Sequence, residues 1–254
     1  MTGAEIPLLD VEKLSYLLVD GYWQVSIFDE IDSTQTYLTS KTAVHGEVVA
    51  AEFQSAGRGR LDRSFESNKS KSLLFSFYIE PSRERDSWGW IPLLAGMAVE
   101  RVLNKQKNIF STKWPNDLLV TNSISNGKVA GILTQTHQTG LVVGIGINIA
   151  MLREELPVIT ATSLALNEIQ ELDRNFYLSQ ILKEFSQLLG EWEEFHDFSS
   201  YYSETCATIG ANVQVHGIGD LVESGKAIGV GVSGELLLEG DRHIYSGDVV
   251  HLYT

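Results

Sequence analysis

The sequence predicts an α+β fold, a mixed and largely antiparallel sheet flanked by helices, followed by a small C-terminal β-barrel. Three observations carry this. Residues 118–149 read as strands joined by short turns, the pattern of an antiparallel meander rather than a doubly wound parallel sheet. Apolar residues recur at helical spacing over residues 92–105 and 173–196. After Tyr202 short strand-like pieces alternate with turns, which reads as a barrel of about 50 residues. The expected division is a domain over residues 1–205, with residues 1–20 as a helical extension, and a barrel over residues 206–254.

Composition narrows the class. With 254 residues and 43% hydrophobic content there is room for a sizeable core. No apolar run reaches the roughly 18 residues of a membrane span. The longest, residues 141–152, carries Asn148 and two glycines, Gly144 and Gly146. Residues 1–10 hold acids and no basic region, unlike a signal peptide. Cys206 is the only cysteine, so neither an internal disulfide nor a Cys-based zinc cluster is expected. Together these point to the cytoplasm. A net charge of -14 argues against nonspecific nucleic-acid binding, yet leaves room for one local basic site.

In chain order, Leu14, Leu17 and Leu18 give residues 10–19 a short helix. Residues 22–28 alternate through Trp23, Val25 and Ile27 as a strand. Ser33 or Thr34 caps a helix running through Lys41, and the same N-terminus offers free N–H groups to an anion. Residues 47–53 and 72–80 read as strands on either side of a long connection. Pro92 stands where helices accept proline, in a first turn, before the stripe Leu94, Met97, Ala98, Val99 and Val102. Residues 118–121, 128–136 and 141–149 are the meander, with Asn126-Gly127 as a hairpin signal. Asp173 or Asn175 starts the longest helix, whose stripe runs from Leu178 to Trp192 and Phe195, ending near His196. The barrel pieces are residues 212–216, 221–228, 234–238, 242–245 and 248–252.

The connection at residues 54–71 has neither helical nor strand periodicity, and long connections of that kind are usually lids or disordered insertions. It is basic: Arg58, Arg60, Arg63, Lys69 and Lys71 face only Asp62 and Glu66. Glycines beside arginines expose backbone N–H groups next to donor forks, a way to hold phosphate or carboxylate. A mobile solvated surface loop is the other reading. Lys113 and Asp117 bracket a tight turn at Pro115-Asn116, and Lys128 opens the strand returning from the next hairpin. Strand ends of this kind lie side by side in a meander. There a carboxylate between two ammonium groups holds Mg²⁺ with polyphosphate, or each residue is a plain surface charge. Gly229-Val230-Gly231-Val232-Ser233-Gly234 matches a dinucleotide pattern, but no helix follows, so these read as turn glycines. Glu193 and His196 form a lone solvated pair, and the histidines show no metal-ligand spacing.

Ser33-Thr34, Gln54-Ser55-Ala56-Gly57-Arg58-Gly59-Arg60, Lys113-Trp114-Pro115-Asn116-Asp117, Gly127-Lys128-Val129-Ala130-Gly131 and Gly144-Ile145-Gly146-Ile147-Asn148 follow in order. In this the chain closely resembles the biotin–protein ligases, from about Tyr22 to the C-terminus. The resemblance implies a class II synthetase-like catalytic domain with an SH3-like barrel. It implies activation of biotin by ATP and Mg²⁺ to biotinyl-5′-AMP, then transfer to a lysine of a biotin carboxyl carrier domain. By resemblance, Ser33, Thr34 and Gln54 bind biotin's ureido ring. Gly57, Arg58, Gly59 and Arg60 order over biotin, with Lys128 on its carboxylate and Gly131 and Gly146 letting backbone approach the ligand. Arg60, Arg63, Phe65, Lys113, Asn116 and Asn148 bind the nucleotide. Arg58, Arg60, Lys113 and Lys128 are the catalytic set, and Asp117 helps hold Mg²⁺ or the incoming lysine. Phe65 stands where the family often has tryptophan. No barrel arginine toward the nucleotide can be assigned in residues 225–231.

The residues before the first strand are too few for the DNA-binding domain of some relatives, so a ligase that is not a repressor is expected; operator binding in a gel shift would overturn that. A lipoate or octanoyl transferase, and a binder without turnover, are the competing classes. The first lacks the glycine–arginine motif, and the intact Arg58, Arg60, Lys113, Asp117 and Lys128 speak against the second. An exposed strand edge beside residues 141–149 could pair two subunits, though the sequence leaves the oligomeric state open.

Overall fold

The computed structural model describes residues 6–19, 21–60, 63–217 and 221–252. The loop positions Leu61 and Asp62 therefore lie outside the described residues, as do residues 218–220. The chain forms a 7-stranded sheet, then a 5-stranded sheet. The first contains β1 (Gln24–Phe28), β2 (Glu47–Ala51), β3 (Ser72–Ile79), β4 (Phe110–Lys113), β5 (Asp117–Val120), β6 (Gly127–His137) and β7 (Gly140–Asn148). Its order is β1-β2-β3-β7-β6-β5-β4. Only β1 and β2 pair in parallel, so the sheet is mixed and largely antiparallel as the turn spacing implies.

Helices cover both faces. The interposed helices are α1 (Val11–Leu17), α2 (Thr34–Thr39), α3 (Trp90–Asn104), α4 (Arg174–Glu193) and α5 (Ser199–Thr205). β3 is buried at every position, as a strand covered on two sides must be. Its Leu73, Phe75, Phe77 and Ile79 join the core with α3 and α4, while Tyr78 packs with Leu38, Val49 and Val142 on the α2 side. Asp10 caps α1, accepting from Glu12 N at 2.9 Å and Lys13 N at 3.0 Å. Ser33 caps α2 and Asp173 caps α4, which settles both choices left open by the sequence.

Three expectations need correction, and one element was not foreseen. α2 stops at Thr39 rather than running through Lys41. α4 stops at Glu193, so Phe195 is not part of its stripe; it sits at φ 66°, 78% exposed, beneath the Arg83 guanidinium. α5, which carries the chain out of the first sheet, has no apolar periodicity long enough to read from the sequence. Finally, β7 has no free edge for a second subunit: β3 and β6 pair with it on either side.

The second sheet holds β8 (Asn212–His216), β9 (Val222–Val230), β10 (Leu236–Leu238), β11 (Arg242–Ile244) and β12 (Asp248–His251), in the order β11-β10-β9-β8-β12 and antiparallel throughout. Gly229 belongs to β9 rather than to a turn; the turn is Gly231 to Gly234, closed by Gly234 N donating to Gly231 O at 3.0 Å. Gly234 needs its φ of +82°, which a side chain would strain.

Two indoles fasten the sheets together. Trp114 Nε1 donates to Gly234 O at 3.0 Å, and Trp90 Nε1 donates to Val232 O at 3.1 Å. Trp114 is 2% exposed, so Trp114→Phe leaves the Gly234 carbonyl without its partner in a buried setting. The expected cost is about 1–3 kcal/mol, the range for an unsatisfied buried polar group. Urea unfolding with an unchanged midpoint would refute it.

Candidate active site

The cavity lies where β3, β7 and β6 run side by side. The register sets Ser76, Gly144 and Leu133 in one row across the sheet, and Leu74, Gly146, Gly131 and Asp117 in the next. Glycines in successive rows leave a trough of about 120 Å³, walled by the start of α2 on one side and the basic loop on the other. Of the residues singled out from sequence, Ser33, Thr34, Gln54, Arg58, Gly59, Arg60, Arg63, Phe65, Asn116, Asp117, Lys128, Gly131 and Gly146 all line it. Gly57, Lys113 and Asn148 do not.

The inner end is neutral and hydrogen-bonded. Gln54 Oε1 accepts from Thr34 N at 2.7 Å and from Thr34 Oγ1 at 3.0 Å. Thr34 Oγ1 meets Ser76 Oγ at 2.8 Å, and Ser76 Oγ donates to Gln35 Oε1 at 3.2 Å. Gln35 Nε2 donates to Val142 O at 3.2 Å, which orients the amide. Ser33 Oγ accepts from Thr36 N at 3.3 Å as the α2 cap, leaving its own proton to donate. Gln35 and Ser76 escaped the sequence reading. Ser76 had a signal, as a hydroxyl in an otherwise apolar strand that is buried throughout.

The other end is cationic. Lys128 Nζ stands 2.6 Å from Asp117 Oδ1. Lys128 and Gly131 are an odd number of positions apart, which on a regular strand sends them to opposite faces. The shift in β5–β6 register, where Leu118 faces Ala130 and Leu119 faces Lys128, inserts Val129 as a bulge and re-aims Lys128 to the cavity side. Lys128 is also held by its backbone: its N donates to Thr160 O at 2.8 Å and its O accepts from Thr162 N at 2.9 Å. Arg60 Nη1 donates to Asn116 Oδ1 at 3.0 Å, and Asn116 Nδ2 donates to Ile132 O at 2.9 Å. Burial pulls the Arg60 pKa below its ordinary value, against the pull of Asp117. Burial also lowers that of Lys113, which pairs in register with Asp117 but stands outside the cavity wall. Asn148 is buried, and its Nδ2 donates to Thr162 O at 3.0 Å.

The basic loop has more structure than its sequence implies. Arg58 and Ser64 form a β-bridge, with Gly59 N donating to Arg63 O at 2.7 Å and Phe65 N donating to Gly57 O at 2.9 Å. This hairpin turns the Phe65 ring onto the glycine floor: a Cβ on Gly146 would lie 2.6 Å from Phe65 Cζ. Gly146 thus makes room for the loop's own aromatic ring. The loop also reaches the second sheet, where Arg63 pairs with Asp248 and Arg60 Nη1 donates to Gly247 O at 3.4 Å. Asp248 therefore joins the site from a sheet to which the sequence reading assigned nothing. No local pattern marks it; only the fold brings β12 to the loop.

Asp117 is one carboxylate among several cations, and Lys128 holds its Oδ1. No group of three or more His, Cys, Asp or Glu side chains gathers among the described residues. The donor set does not make a protein-held cage for Mg²⁺; it fits an ion that enters on a polyphosphate and keeps most of its oxygen ligands from phosphate and water.

Residues 27–151 match the biotin/lipoate A/B protein ligase family. A biotin–[acetyl-CoA-carboxylase] ligase of Mycobacterium tuberculosis is 31% identical over 97% of each chain. The bifunctional ligase/repressor BirA of Salmonella typhimurium is 32% identical over 93% of this chain and 75% of its own. Among solved structures, the biotin protein ligase of Aquifex aeolicus in complex with biotin and ATP superposes with a TM-score of 0.77, at 30% identity, over 91% of this chain and 99% of that one. No described helix is long and apolar enough to cross a membrane. With that identity over nearly its whole length and that shared fold, the chain belongs to the biotin protein ligases of the biotin/lipoate A/B protein ligase family.

Proposed function

We propose that the protein joins biotin to a lysine of a biotin carboxyl carrier domain, with biotinyl-5′-AMP as intermediate. One observation carries the reading: Arg58, Arg60, Arg63 and Lys128 surround the mouth of a cavity whose inner end offers only neutral hydrogen-bonding groups. Biotin has the matching shape, a polar uncharged ring at one end and a carboxylate at the other.

In the first step a biotin carboxylate oxygen attacks the α-phosphorus of ATP. The bond from that phosphorus to the bridging oxygen breaks, and pyrophosphate leaves with the electron pair. Two anions must approach, so fixed cations lower the barrier. Lys128 holds the carboxylate, and Arg58 and Arg60 balance the charge growing on phosphate. Mg²⁺ bound to the phosphates supplies further positive charge there. In the second step the carrier lysine's amine attacks the acyl carbon, the bond to AMP breaks, and amide, AMP and a proton result. Asp117 helps position the amine. Phe65 and the loop exclude water from the mixed anhydride. Ser33, Thr34 and Gln54 take the ureido ring, Asn116 and Arg63 face the nucleotide, and Lys113 and Asn148 support that end from behind. Use of ATP as a substrate is consistent with a cytoplasmic location. Residues 1–205 are the catalytic domain and residues 206–254 an SH3-like barrel.

Pyrophosphate release that depends on both biotin and ATP is the test, followed by mass-spectrometric detection of biotin on a carrier-domain lysine. Release without biotin dependence would sink the reading, and calorimetric binding of lipoate in place of biotin would redirect it. A narrower prediction concerns the floor. A Cβ on Gly144 would lie 2.6 Å from Gln35 Oε1 and 3.1 Å from Ser76 Oγ. Gly144→Ala is expected to weaken biotin binding about tenfold or more, the effect of losing roughly one good hydrogen bond. Unaltered affinity in isothermal titration would refute it.

A further inference from the structure

Glu52 sits at the base of the basic loop and lines no part of the cavity. It is 4% exposed, and a buried carboxylate is costly unless paired and hydrogen-bonded. Its partners come from three other segments. Oε2 accepts from Arg174 Nη2 at 2.7 Å and from Ser70 Oγ at 2.6 Å, and Oε1 accepts from Leu9 N at 2.7 Å. Arg174, the first residue of α4, is 0% exposed, and its Nε and Nη1 have no partner among the described residues.

The same pair receives the chain's N-terminal segment. Arg174 Nη2 also donates to Pro7 O at 3.0 Å. Asn175 donates to Leu8 O at 2.9 Å and accepts from Asp10 N at 2.8 Å. Residues 7–10 are thus strapped over the ion pair.

Glu52, two residues before the loop, also holds the loop's far end. Ser70, at the far end, donates its N to Glu52 O at 2.9 Å in addition to the hydroxyl bond, at a φ of 61°. At the near end Gln54 enters the cavity wall next to Thr34. Stability alone does not call for a charged pair here, because well-packed apolar replacement of a buried ion pair is often neutral or stabilising. A carboxylate adds simultaneous acceptance from several segments, which sets their separation.

We infer that Glu52 is a positioning residue for the loop: paired with Arg174, it fixes the separation of Gln54 and Ser70, seats Arg58, Arg60 and Phe65 over the cavity, and makes that seating depend on the strap at residues 7–10. The inference rests on the proposed reading of the loop as a cover for the adenylate.

Two variants of the full chain test it. Glu52→Leu/Arg174→Met replaces the pair by apolar groups, and Ser70→Ala keeps the pair while removing one loop bond. The double variant should melt no lower than wild type. It should lose biotinyl-5′-AMP to solution about tenfold faster, which corresponds to about 1.4 kcal/mol. This is read as pyrophosphate release without carrier and as intermediate left on the protein after rapid gel filtration. Ser70→Ala should move the same readouts in the same direction, less far. A folded double variant with wild-type retention overturns the inference; should the double variant fail to fold, wild-type retention in Ser70→Ala does so. If wild type releases no biotin-dependent pyrophosphate, the ligase reading fails separately. Trypsin cleavage after Arg58, Arg60 and Arg63 in the free proteins then decides: faster cleavage in the double variant supports Glu52, and equal rates overturn it.

Discussion

Lys128→Ala is expected to slow formation of biotinyl-5′-AMP by about 10²–10³, the usual effect of removing one preorganised donor from developing charge. The side chain is half-exposed at the cavity mouth, while its backbone is pinned to Thr160 and Thr162 through both amide groups. Truncation therefore removes the ammonium without loosening β6. The Asp117 carboxylate it releases is itself partly solvated, so the loss of their ion pair costs little stability. Single-turnover pyrophosphate release should fall while the melting temperature holds. An unchanged first step would take Lys128 out of the chemistry.

Arg60→Ala is expected to leave the fold intact and let the adenylate escape. Arg60 is the loop residue that ties the cover to both sheets, through Asn116 on the catalytic turn and Gly247 on the second sheet. A hydrogen bond to a charged group contributes about 1.5–3 kcal/mol, so dissociation of the intermediate should accelerate by about 10–10². The two variants separate two roles. Lys128→Ala makes little adenylate and keeps it, whereas Arg60→Ala makes adenylate and loses it to hydrolysis. Chromatography of free and bound biotinyl-5′-AMP reads the difference. Retention equal to wild type would remove the sealing role from Arg60.

Much of this was legible in the sequence because the signals are local. Turn residues at Pro115-Asn116 and Asn126-Gly127 bound β5 and β6, whose pairing follows from short connection length. The stripes over α3 and α4 bury as their period requires. What was misjudged depended on distant neighbours. β7 looked like an edge because apolar composition cannot say which strands flank it; β3, far away in sequence, does so. The contact of the Phe65 ring with Gly146 on β7 likewise has no local signal. The bulge at Val129 is invisible in a run of apolar and small residues, yet it decides where Lys128 points.

Residue chemistry and spacing sufficed for the fold class, the order of the elements, the basic loop and the cluster of motifs that carries the family resemblance, since each depends on neighbours within a turn or a hairpin. The partnership between loop and second sheet, Asp248 on Arg63, the Ser76–Gln35 support behind the inner end and the Glu52–Arg174 base came from packing alone. These contacts join residues separated by most of a strand order or most of the chain. Their geometry is set by the register of strands and the burial of charge, which no single stretch of sequence contains.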